Sequence, residues 1–125
     1  MTIGSTLKAV QQAAQTLGSD GVSVEVLDVR SLVPLDEVAL LKSAAKTGRV
    51  VIADEARNRC SAASEIAALL AERGYPSLKA AVRRVTVPNI PLPYAPGAER
   101  ALLPTAERIV RAARESLGGP QPERV

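Results

Sequence analysis

Histidine is missing from all 125 residues. With it go every Ser–His or Cys–His pair and every histidine metal ligand within the chain. Phenylalanine and tryptophan are missing too, and tyrosine occurs twice, so there is little on which nucleic-acid bases could stack. A single cysteine, Cys60, excludes an internal disulfide and agrees with a reducing compartment. No apolar run approaches the ~20 residues that cross a bilayer, and the amino end lacks the charged-then-apolar pattern of a secretory signal. Neither G-x-G-x-x-G nor a Walker-type glycine loop occurs, which removes the usual phosphate cradles. The expectation is a soluble, cytoplasmic protein that binds neither nucleic acid nor membrane and carries no self-contained catalytic set.

What is present is organised around residues 22–36. Val22, Val24, Val26, Leu27 and Val29 first alternate with polar residues and then run together, as in a strand near the middle of a covered sheet. Pro34 keeps Val33 extended. Asp36 is placed to cap a helix, with Leu35 and Leu40 at the two positions of a hydrophobic staple. The 16 basic and 13 acidic residues leave +3, spread along the chain rather than clustered, a poor footprint for nucleic acid. A chain of this length is one domain that buries roughly two thirds of its unfolded surface.

Read in order, Thr2-Ile3 is a very short or truncated first strand. Leu7, Val10, Ala14 and Leu17 follow at helical spacing, with Ser5 as N-cap and Gly18 as left-handed stop. A second helix is expected from about Asp36 to Lys46 with Val38, Leu41 and Ala45 on one face, closed by Gly48. Arg49 to Ala53 reads as a buried parallel strand and Asp54 to Ser61 as a polar loop. A third helix carries Ala62, Ile66, Leu69 and Leu70, and Lys79 to Val87 is another strand. Four prolines between Pro88 and Pro96 remove four amide donors, so that stretch must run extended over a surface. Ile90, Leu92 and Tyr94 within it need somewhere to bury. A last helix begins near Pro104-Thr105, and residues 118–125 are expected to form a mobile tail. Alternating strands and helices predict an α/β three-layer sandwich over residues 1–117, with a mainly parallel sheet.

Ligand crevices in such sheets lie at the carboxyl ends of the strands, which selects two loops, Arg30 to Pro34 and Asp54 to Ser61. In the second, Arg57 and Arg59 precede a helix N-terminus whose free amides favour an anion such as a carboxylate or phosphate. The competing reading pairs those arginines with Asp54, Glu55 or a neighbouring subunit. Cys60 would need a base to act as a nucleophile, and no histidine is available. Glu65 either supports the loop by hydrogen bonds or belongs to a solvated face.

The stretch Val24 to Asp36 resembles the C-terminal domain of transketolase, and more narrowly that domain in the beta subunit of thiamine-diphosphate-dependent 2-oxoacid dehydrogenases. Three further matches follow in register: Lys46 to Val51 leading into Asp54-Glu55-Ala56, then Glu65-Ile66-Ala67, then Pro91 to Pro96 followed by Glu99. The resemblance implies a mixed sheet of about five strands. It also implies partnership with an alpha subunit and a second beta subunit, and docking to an acyltransferase core. Thiamine diphosphate and magnesium would be held elsewhere in the parent enzyme, with no cofactor, metal or catalytic residue on this chain. Glu55, Arg57, Arg59 and Glu65 then stand as an anion or interface cluster. Where the family often reads Glu-Ala-His-Arg-Thr-Gly-Gly-Phe-Gly-Ala-Glu, this chain has Arg57 at the histidine and Cys60 and Ser61 at the paired glycines. An assembly domain, inactive alone and dimeric in isolation, is the expectation. The alternative is a free-standing module binding a small anion at the Arg57–Arg59 loop.

Overall fold

The computed structural model describes residues 1–118. Along the chain come β1 (Thr2–Ile3), α1 (Leu7–Ser19), β2 (Asp28–Val29), α2 (Glu37–Thr47), β3 (Val51–Arg57), α3 (Ala62–Arg73), β4 (Arg83–Val87), α4 (Pro96–Leu102) and α5 (Ala106–Ser116). The strands lie in the order β2-β1-β3-β4, and every pair is parallel. Successive residues of β3 point to opposite faces of the sheet and so feed two cores. Ala53 joins Val10, Leu17, Ile109 and Val110 beneath α1 and α5. Val50 and Ile52 join Leu40, Ile66 and Leu70 beneath α2 and α3. Three layers result, as the alternation of elements predicts.

The strand count differs from the mixed five expected: among the described residues there are four, all parallel. After Val87 the described residues pass through an irregular, proline-rich crossing and two helices, and none of them adds a fifth strand. The organising stretch also pairs less than its pattern promises. Its ladder is confined to Asp28 and Val29, opposite Thr2 and Ile3. The expected mobility of residues 118–125 falls outside the described residues from position 119 onward.

Helix ends follow local chemistry where a cap is available. Asp36 accepts a hydrogen bond from the Ala39 amide at 2.9 Å, and the staple residue Leu40 is fully buried. Gly48 ends α2 at φ +71°, and a Cβ there would lie 2.8 Å from the Lys79 side chain, so glycine is required twice over. Other boundaries move. Ser5 caps nothing: a 3-10 turn at Gly4–Thr6 leads into α1. Gly18 stays inside α1, and Gly21 takes the positive φ of +78°. The buried face of α2 is Leu40, Ser43 and Ala44, which leaves Val38 exposed. The staple sets that rotation by holding Leu40 against the sheet. No helix among the described residues is long and apolar enough to cross a membrane.

Truncating Leu40 to alanine should cost about 2–5 kcal/mol of unfolding free energy in denaturant titrations, because the site is enclosed on all sides. The exposed Val38→Ala should change stability by no more than about 0.5 kcal/mol. Equal losses would mean that α2 presents its other face to the sheet.

Candidate functional site

The carboxyl ends of β3 and β4 gather most of the polar groups that the sequence singles out. β3 runs on to Arg57 rather than stopping at Ala53, so Glu55 and Arg57 sit on a strand end and not in a loop. The ladder to β4 shifts register between Ala53 and Arg57. That irregularity lets the Asn58 amide donate to the Val87 carbonyl at 2.9 Å.

Asp54 is buried. Its carboxylate accepts from the Ala56 amide at 3.0 Å and from the Ala63 amide at 3.3 Å, fastening the start of α3 to the end of β3. Ser61 caps the same helix by accepting from the Ser64 amide at 3.3 Å. Its carbonyl takes the Glu65 amide at 3.1 Å. The Ala63, Ser64 and Glu65 amides at this helix start are therefore already engaged. Glu65 is exposed and meets the loop through its backbone. Arg57, Arg59 and Glu55 are exposed as well, and among the described residues neither arginine forms an ion pair.

Asn58 is the hub of the loop. Its carbonyl accepts from the Arg84 guanidinium at 2.6 Å and from the Ser64 hydroxyl at 3.1 Å. Its side-chain oxygen accepts from Thr86 at 3.3 Å. Asn89 reaches across to accept from the Arg59 amide at 3.1 Å. On the other flank, Arg108 of α5 donates to the carbonyls of Leu102, Leu103 and Thr86 at 2.8–2.9 Å. Burial, and then the neighbouring Arg111, lower its pKa from the usual value. Asn58, Arg84, Thr86 and Arg108 line a shallow depression of about 320 Å³. Sequence reading missed Asn58, Arg84, Asn89 and Arg108, whose partners lie up to 30 residues away and leave no local signal.

Strand order reverses between β1 and β3, where ligands usually enter. Here that crevice holds the Gly4–Thr6 turn, with the Thr6 hydroxyl bonded to the Ile3 and Ala53 carbonyls. Exposed apolar residues also lie at this end. Leu32 and Val33 follow β2, and Val33 is 92% exposed beside a cis peptide bond to Pro34. Ile90, Leu92 and Tyr94 follow β4, and Tyr94 is fully exposed. The proline strap does not bury these residues on its own domain.

Cys60 is exposed and left-handed, at φ +52°, a region that costs a non-glycine residue roughly 1–2 kcal/mol. Cys60→Gly should raise unfolding free energy by up to about 1 kcal/mol, the relieved strain being offset by a more flexible unfolded chain. Cys60→Val should lower it by about 1 kcal/mol or more, since a β-branched residue fits that region worst. Thermal unfolding of the two variants side by side checks the sign of each.

The chain is similar to three curated beta subunits. It is 45% identical over 118 residues to the acetoin:2,6-dichlorophenolindophenol oxidoreductase subunit beta of Bacillus subtilis (strain 168), covering 94% of this chain and 34% of that one. Identity is 36% over 116 residues with the 2-oxoisovalerate dehydrogenase subunit beta of the same organism, covering 92% and 36%. It is 42% over 106 residues with the pyruvate dehydrogenase E1 component subunit beta of Leifsonia xyli subsp. xyli, covering 85% and 31%. The chain thus spans about a third of the length of these relatives. Among solved structures it superposes on a split gene transketolase described as an inactive beta4 tetramer, with a TM-score of 0.79 and 29% identity, over 94% of this chain and 37% of that one. The family model for the transketolase C-terminal domain matches residues 1–109, and with the layered parallel sheet already described, this chain belongs to that family.

Proposed function

We propose that the chain serves as the C-terminal domain of the beta subunit of a 2-oxoacid dehydrogenase, or of an acetoin-cleaving relative, in the cytoplasm. Its work there is assembly. The observation that carries this reading is exposed apolar surface at the carboxyl ends of the two outer strands: Leu32 and Val33 after β2, and Ile90, Leu92 and Tyr94 in the proline strap after β4. Isolated exposed hydrophobics are ordinary, but three at alternate positions of one proline strap, and two in succession at the Leu32–Val33 corner, fit contact surfaces. The relatives named above are beta subunits that carry about two thirds of their length outside the matched region. In this reading that surface packs against an alpha subunit and a second beta subunit, and another face docks to the acyltransferase core.

Thiamine diphosphate and magnesium belong, in this proposal, to other segments of the parent enzyme. The residues here do not fit them. Asp54, the buried carboxylate nearest the usual crevice, spends both oxygens on backbone amides. Among the described residues no three His, Cys, Asp or Glu side chains come together as a metal site. The alternative of an anion-binding module at Arg57 and Arg59 is weaker, because the α3 amides it requires are engaged by Asp54 and Ser61.

In isolation the exposed surface should drive self-association. Sedimentation at micromolar concentration should show dimers or larger species. The pair Leu92→Glu and Tyr94→Glu should weaken association at least tenfold, as loss of a central aromatic contact does, with the unfolding temperature unchanged. A clean monomer for the unsubstituted chain at high concentration would count against the proposal.

A further inference from the structure

The depression at the end of β4 is lined by two cations and by no acid. Arg84 belongs to β4 and Arg108 to α5, and both line it together with Asn58, Thr86, Ala101 and Leu102. No aspartate or glutamate lines it, and among the described residues neither arginine forms an ion pair. Like charges gathered without a counter-charge repel one another, and a bound anion removes that cost.

Both guanidinium groups are clamped, and each keeps donors in hand. Arg84 spends Nη1 on the Asn58 carbonyl at 2.6 Å and the Ser64 hydroxyl at 2.8 Å. Arg108 spends Nη1 on the Leu102 and Leu103 carbonyls and part of Nη2 on the Thr86 carbonyl. All three nitrogens of a guanidinium donate. Among the described residues, Nε and Nη2 of Arg84, Nε of Arg108 and the second Nη2 hydrogen of Arg108 therefore have no protein acceptor. The Asn58 side-chain oxygen is taken by the Thr86 hydroxyl, which leaves its amide nitrogen to donate as well. Burial first, and the charge of Arg111 second, disfavour a charged Arg108, and an anion would offset both.

Charge and shape select the ligand class. Two positive charges match a dianion better than a monoanion. Donors arriving from a strand, a helix and a loop suit the several oxygens of a tetrahedral group better than a planar carboxylate, and arginine forks fit phosphate oxygens in pairs. Because backbone carbonyls hold both forks beforehand, little ordering remains to be done when a ligand arrives. The volume of about 320 Å³ lies at the lower end of small-ligand sites, which start near ~300 Å³, and Ala101 and Leu102 give it an apolar wall. We propose that this depression binds a phosphate dianion, free or as the head of a small monoester, held by Arg84 and Arg108 with Asn58 as a third donor. The site is separate from the Arg57–Arg59 loop and does not rest on the assembly role proposed above.

The probe is inorganic phosphate, titrated into the 125-residue chain at constant ionic strength and mildly alkaline pH, where it is a dianion. In proton–nitrogen spectra the Nε–H signals of Arg84 and Arg108 should shift together, with half-saturation below about 1 mM. Acetate should bind at least tenfold more weakly. Phenyl phosphate, whose ring can lie on the apolar wall, should bind more tightly than inorganic phosphate if the ligand is a monoester and equally if it is the free ion; either result supports the site. Arg84→Gln should lower affinity roughly tenfold or more, and Arg84→Lys, which keeps the charge and loses the fork, should lower it less. Joint replacement of Arg57→Gln and Arg59→Gln should leave it unchanged. Four outcomes overturn the proposal: no shift of either signal at millimolar phosphate, acetate binding as tightly as phosphate, equal affinity for Arg84→Gln and the unsubstituted chain, or loss of binding in the Arg57 and Arg59 double variant.

Discussion

Three consecutive buried residues of β3, Ile52, Ala53 and Asp54, hold the architecture together by sending their side chains to three different places. Ile52 enters the core beneath α2 and α3, and Ala53 enters the one beneath α1 and α5. Asp54 sits where the strand leaves the sheet and ties the start of α3 to it through two backbone amides. A parallel strand covered on both faces must be apolar along its length, and a buried charge at its end is tolerated because hydrogen bonds satisfy both oxygens. The loop built on Asn58, and through Thr86 the placement of Arg108 and α5, depend on β3 ending where it does.

Features written into adjacent residues could be read before folding. Asp36 before an apolar run and Gly48 after it delimit α2, and the continuous apolar stretch at Val50 to Ala53 announces a doubly covered strand. What could not be read depends on partners far along the chain. Val22 to Leu27 has the composition of a strand, yet the ladder is confined to Asp28 and Val29, and composition carries no record of where a partner strand lies. The buried face of α2 could be drawn through Val38 or through Leu40 with similar periodicity, and only packing on the sheet decides it. Asn58 sits between two arginines that attract more notice. Its role comes from Arg84, Thr86 and Val87, more than 25 residues later.

At the carboxyl end of the sheet the polar groups around Asp54 and Asn58 are spent on one another, while Glu55, Arg57 and Arg59 stand exposed beside the apolar Leu32–Val33 corner and the proline strap with Tyr94. Arg84 and Arg108 carry charge there, and backbone carbonyls take up part of their donors. Such an arrangement stiffens a surface for contact and leaves no nucleophile beside a base.

The central claim is that this chain builds a scaffold whose partners supply the reactive groups. It is tested most directly by incubating the purified 125-residue chain with thiamine diphosphate, magnesium and a panel of 2-oxoacids and acetoin, and following substrate loss with an artificial electron acceptor. The account predicts no consumption above the protein-free control. Turnover that scales with protein concentration, and that disappears when a residue of this chain is replaced without unfolding it, would contradict it.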